Sequence, residues 1–165
     1  MDVTTRLLAA AVLAAGSFLS CAAAPADDSE ALQGMKELKV AFDIQEGDGR
    51  RLLNRLELID ETRRSLIGAG VRPHFVLAFR GPATRLIQTD PEKIRPEDRQ
   101  VAAVIATKLD EMRDATGMDS IELCAVAIRG QGTKRENVIP AVKVIGNTWI
   151  SLAAYQARGY AYVIP

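Results

Sequence analysis

Leu38-Lys39-Val40-Ala41-Phe42-Asp43-Ile44 is an apolar run of strand length, and His74-Phe75-Val76-Leu77-Ala78-Phe79 is a second one. Between them, Gln45–Gly49 supplies turn formers, and Leu52, Leu56, Ile59 and Leu66 then recur at helical spacing. Arg51, Arg55, Glu61 and Arg64 fall elsewhere on that wheel. Asp48 is placed to cap the helix, and Gly68 or Gly70 to stop it. A strand, a helical crossover and a second strand make a βαβ unit, which commits the two strands to lie parallel.

The same alternation continues. Asp90-Pro91-Glu92 reads as a short helical turn, and Pro96-Glu97-Asp98 opens a longer helix with acids in its first turn. Val101, Val104, Ile105, Leu109 and Met112 are its expected buried stripe, with Gly117 beyond its end. Ile121–Ile128 reads as a near-continuous apolar strand carrying Cys124, followed by a loop, Arg129–Lys134, and a helical turn before Pro140. Val142–Ile145 is a fourth strand. Asn147 or Thr148 caps a last helix through Trp149, Leu152 and Tyr155, closed by Gly159, and Tyr160–Val163 is a fifth strand. The expected fold is a three-layer α/β/α sandwich around a mostly parallel five-stranded sheet with right-handed crossovers. Sites in such sheets lie past the carboxyl ends of the strands. That rule brings Asp43–Gly49, Phe79–Pro82, the segment after Cys124 and Gly146–Thr148 to one edge.

Residues 1–26 read as an export signal. Arg6 is the basic start, Leu7–Leu19 an apolar run too short for a comfortable membrane span, and Ala24-Pro25-Ala26 a small-residue cleavage site before Asp27. A rival reading makes Phe18-Leu19-Ser20-Cys21 a lipobox, with Cys21 lipidated. Either way the domain is expected to be periplasmic or secreted. Residues 27–36 read as a flexible leader outside the core, and residues 37–165 as the domain.

Composition narrows the function. Lys and Arg total 21 and Asp and Glu total 21, with no basic block, which argues against nucleic-acid binding. No apolar run after the export segment is long enough to span a membrane. Aromatics are only 5% of residues, which suits an aliphatic α/β core better than a β-sandwich. His74 is the single histidine and has no partner at ligand spacing, so no metal is expected. Gly130-Gln131-Gly132-Thr133-Lys134 lacks the glycine spacing of a phosphate loop, and no dinucleotide fingerprint is present, so no cofactor is expected.

Cys124 is the one thiol left after export. It reads either as a packed small hydrophobe or as a nucleophilic, sulfur-carrying thiolate, which would need a helix N-terminus or a cation beside it. Arg80 reads either as a solvated strand-end residue or as an anion holder. Asp43 reads as a cap on the following loop or as a site lining. Asn147 and Thr148 read as helix caps whose amides could also bind an anion.

Leu123-Cys124-Ala125-Val126-Ala127, Val138–Asn147, Trp149–Leu152 and Tyr155–Ala161 together resemble the C-terminal half of DsrE/DsrF-like sulfur-relay proteins, in an exported branch. The Leu-rich first helix and the Arg80-Gly81-Pro82 turn fit as well. The resemblance covers Leu38–Pro165. It implies the same five-stranded parallel sheet, assembly into trimers or hexamers, a persulfide on Cys124, and sulfur donor or acceptor proteins as partners. Two departures stand out. Arg80 occupies a position where histidine is frequent, and Ala125–Ile128 stays apolar where a polar Cys-x-Asn-Thr pattern is usual. The expected activity is thus sulfur handling at Cys124, with Arg80, Gly81, Asn147, Thr148 and Asp43 around it. The alternative is a non-catalytic oligomeric module that binds a small anion or a partner protein.

Overall fold

A computed structural model describes residues 27–165; the expected export segment, Cys21 included, lies outside the described residues. Five strands, β1 (Glu37–Ile44), β2 (Arg72–Phe79), β3 (Met118–Cys124), β4 (Lys143–Ile145) and β5 (Ala161–Val163), form one sheet in the order β4-β3-β2-β1-β5. Every pairing is parallel. Four α-helices interleave with them: α1 (Gly49–Gly68), α2 (Arg99–Arg113), α3 (Ala125–Gln131) and α4 (Thr148–Ala157).

Strand alternation divides the core in two. Val40, Phe42, Ile44, Phe75, Leu77, Phe79, Ile121 and Leu123 face α1 and α2, whose Leu52, Leu56, Ile59, Leu66, Ile105, Leu109 and Met112 complete a large apolar layer. The residues between them, Ala41, Val76 and Ala78, face α4 and make a small cluster with Leu152, edged by Tyr155 and Tyr160. Because side chains alternate with a period of two, Asp43, Glu122 and Cys124 share this second, α4-covered face. Chain order explains the asymmetry. Each step from β1 to β4 adds a neighbour on one side, so α1 and α2 cover one face. The return from β4 to β5 carries α4 back across the other.

Local expectations meet the structure unevenly. Asp48 caps α1, its side chain accepting the Arg51 amide at 2.9 Å. Asn147, rather than Thr148, caps α4 by accepting the Trp149 amide at 3.0 Å. Val104 is exposed and Ala102 takes its place in the buried stripe of α2. Trp149 is 66% exposed and is not a core residue. The expected strand over Ile121–Ile128 stops at Cys124, and the chain turns there into α3, which includes Arg129–Gln131. Leu32, in the leader segment, packs on the main core.

Candidate functional site

The carboxyl ends of β1, β2, β3 and β4 converge where α3 and α4 begin. Cys124 is the last residue of β3 and the N-cap of α3. It is 4% exposed. Its Sγ accepts the backbone N–H of Thr148, the first residue of α4, at 3.4 Å. Burial is the largest influence on this thiol and pushes its pKa up. The Thr148 hydroxyl and amide and the Ala127 and Val126 amides together outweigh burial, so the thiol lies below its ordinary value. The Thr148 hydroxyl also faces the Phe79 carbonyl, but at 3.5 Å that bond is weak. The hydrogen bond at the sulfur comes from the start of α4, and the first-turn amides of α3 favour the thiolate without making a capping hydrogen bond to it.

Arg80 follows β2 at the position beside Cys124, since Phe79 pairs with Leu123 in the sheet register. It is not a solvated strand end. Its Nε donates to Asp43 Oδ1 at 2.8 Å and its NH2 to Oδ2 at 2.7 Å, a bidentate pair. Asp43 is 1% exposed and does not cap its loop; the Tyr162 hydroxyl of β5 also donates to it. The Asp43 hydrogen bond, ahead of the opposing effect of burial, raises the Arg80 pKa further. Trp149 lies over the guanidinium at 5.9 Å. Four elements thus meet at one charged pair: β1, β2, β5 and the start of α4.

Gly81 takes φ +57°, a left-handed conformation that favours glycine, and starts the 3₁₀ turn Gly81–Leu86. That turn sits close to the loop after β1. A Cβ on Gly47 would stand 2.6 Å from Pro82 Cβ, so only glycine lets the two loops approach. Asp43, Arg80, Gly81, Cys124, Asn147 and Thr148 are accordingly all at the expected edge. They form two contacts rather than one: Cys124 with Thr148, and Arg80 with Asp43.

Sequence reading passed over Glu122. It is 3% exposed, two residues before Cys124 on the same face. Its Oε1 accepts from Ser120 Oγ at 3.0 Å and from Tyr155 OH at 2.8 Å, and its Oε2 accepts from Ser151 Oγ. A Glu inside an otherwise apolar strand was the available sign. At the opposite end of the sheet, Asp119 receives the Tyr160 hydroxyl and lies 3.2 Å from His74 Nδ1. Burial, then the Asp119 hydrogen bond, pushes Tyr160 up to about 12. Among the described residues no three of His, Cys, Asp and Glu gather so as to hold a metal ion. No helix among them is long and apolar enough to cross a membrane.

No family model matches the chain. An uncharacterised protein of Aquifex aeolicus (strain VF5) is 29% identical over 127 residues, covering 76% of this chain and 55% of that protein. The chain therefore spans about half the length of that relative. Among solved structures, a protein of unknown function from Methanobacterium thermoautotrophicum, MTH1491, superposes with a TM-score of 0.60 at 19% identity, over 78% of this chain and 99% of that one. That likeness concerns the fold alone.

Proposed function

We propose that this is an exported, DsrE/DsrF-like sulfur-handling protein in which Cys124 accepts a sulfane sulfur, holds it as a persulfide and passes it on. The observation that carries the reading is the contact of Cys124 Sγ with the Thr148 amide at the start of α4. The thiolate is the attacking species in sulfur exchange, and donors aimed at Sγ favour it. The balanced step is attack of the Cys124 thiolate on the outer sulfur of a donor persulfide. A new S–S bond forms at Cys124, the donor's S–S bond breaks, and its electron pair leaves with the donor thiolate. No separate oxidant or cofactor enters. With Cys124 buried, the donor must be small, or the Asn147–Trp149 turn must move aside. Arg80 is the anion-holding candidate beside Cys124, with its charge already balanced by Asp43.

A second reading rests on a different observation. Cys124 is buried, and Trp149, Ile150 and Ile164 are each more than 60% exposed. These features fit a non-catalytic oligomeric module with a merely packed cysteine. Two measurements separate the readings. Incubation with a small persulfide should add the mass of one sulfur atom to the wild-type protein and nothing to Cys124→Ser. Iodoacetamide should label folded wild type at neutral pH. Labelling only after denaturation, with no added sulfur, selects the second reading.

A further inference from the structure

We infer that Glu122 is a positioning residue that fixes the N-terminus of α4 against Cys124, by holding Ser151 and Tyr155 of that helix on the strand that carries the cysteine. The inference deepens the sulfur-handling reading, since it concerns what keeps the thiolate's hydrogen bonds in place.

The argument begins with an apolar layer too small to do this. Under α4 the buried hydrophobic residues are Ala41, Val76, Ala78 and Leu152. Two alanines and one valine present a shallow surface, and a single leucine gives a helix little to fix its position along its axis. Thr148, Ser151, Leu152 and Tyr155 are spaced as one helix face. Three of these four residues are polar and bond to β3 or the end of β2: Thr148 through its amide to Cys124 and its hydroxyl to Phe79, and Ser151 and Tyr155 through their hydroxyls to Glu122.

Glu122 is an expensive way to fill the space. A buried carboxylate is costly unless it is paired or well hydrogen-bonded. Here its hydrogen-bond partners are three hydroxyls, on Ser120, Ser151 and Tyr155. Among the described residues it makes no ion pair; Lys143, opposite it on β4, is exposed. An apolar residue would pack there at lower cost but would accept no hydrogen bond. The carboxylate instead gives two directional contacts to one helix, on the same strand as Cys124 and two residues away. A helix advances about 1.5 Å per residue, so a slip of even one residue removes the 3.4 Å contact between Thr148 and Sγ.

Other charged and titratable groups surround the pair. Arg158 lies over the Tyr155 ring at 5.1 Å, Tyr155 itself is raised by burial and then by Glu122, and the Arg80–Asp43 pair stands beside Cys124. Glu122 stands two residues from Cys124 on the same strand face, and a carboxylate there by charge alone opposes thiolate formation. Charge and positioning therefore predict opposite outcomes for the same substitutions.

Glu122→Gln removes the charge and keeps the shape and one accepting oxygen. Glu122→Leu removes both charge and hydrogen bonds, and Ser151→Ala removes one contact without touching β3. Two properties are read on the folded proteins, with labelling assigned to Cys124 by peptide mass. One is the pH dependence of iodoacetamide labelling of Cys124. The other is the emission of Trp149, the sole tryptophan, which sits in the first turn of α4 and needs no reactive thiol. Glu122→Gln should label at least as fast as wild type with unchanged emission. Glu122→Leu and Ser151→Ala should label more slowly at neutral pH, about tenfold for one unit of thiol pKa, with shifted emission. If Glu122→Leu does not fold, Ser151→Ala and Glu122→Gln still decide the matter. Wild-type behaviour in both the leucine and the alanine variant overturns the inference, as does a glutamine variant as slow as the leucine one. If Cys124 never carries a persulfide yet emission and labelling follow the expected pattern, the positioning role stands and sulfur carriage falls.

Discussion

Asp43 and Arg80 meet because β1 and β2 pair in register and end together at the same edge. Replacing Asp43 with Asn leaves a guanidinium with one half of its pair missing. Removing one partner of a buried pair costs about 3–5 kcal/mol, and because Arg80 is partly exposed the expected loss is nearer about 2 kcal/mol. Urea unfolding of Asp43→Asn checks this. The same change uncovers the Arg80 charge beside Cys124, so labelling of the thiol should become faster. Cys124 itself ties stability to pH. Its folded pKa is lowered, so between that value and the ordinary thiol value the unfolded chain binds more protons. The stabilisation is fully present above the ordinary thiol pKa and is lost as pH falls through the folded one. Under reducing conditions, wild type should therefore gain stability relative to Cys124→Ser as pH rises from neutral to mildly alkaline. A constant difference between the two would show that folding leaves the thiol unshifted. The residue types at this edge were legible in the sequence, because strand ends could be counted. Their pairing was not: Asp43 and Arg80 are separated by the whole of α1 and β2, and only the sheet register joins them.

At the scale of elements, the boundary between β3 and α3 shows where pattern reading runs out. Apart from Glu122, Ile121–Ile128 is apolar, and such a run serves a buried strand or a buried helix start equally well. Cys124 caps α3 without a side-chain hydrogen bond, so no Ser, Asp or Asn marks the turn. The Cys-Ala-Val-Ala sequence thus gives no sign that the strand ends at the thiol. The caps of α1 and α4 were legible because Asp48 and Asn147 have side chains suited to the task. Glu122 was visible only as an acid in an apolar strand, and its role was hidden for a different reason. A lone acid in a strand carries no spacing motif, and its partners Ser151 and Tyr155 lie on a helix that reaches it only after the chain returns across the sheet. The crossover from β4 to β5 is thus the element that assembles the site. It brings Thr148 to Cys124, Ser151 and Tyr155 to Glu122, and Tyr162 to Asp43.

The described residues cover the sheet unequally. Two long helices bury one face, while among the described residues α4 alone lies on the other and leads to β5, an edge strand of three residues. Ile150 and Trp149 on α4, and Tyr162, Val163 and Ile164 at the carboxyl end, are exposed apolar side chains in this thinly covered region. Scattered apolar residues are ordinary on a surface, but several large ones in one region are a candidate interaction surface. The expected occupant is further copies of this chain, in a trimer or a multiple of it, as the resemblance to sulfur-relay proteins implies. Such an assembly would bury Trp149 next to Arg80 and Cys124, tying access to the thiol to subunit contact. Light scattering at micromolar concentration should report a mass several times that of one chain. Ile150→Glu and Ile164→Glu should each reduce it, because burying an unpaired carboxylate in an apolar contact costs more than the contact returns. Neither change touches the core, so the unfolding transition of the single chain should persist. A wild-type protein that stays monomeric, or carboxylate variants that assemble as before, would place the contact elsewhere or remove it.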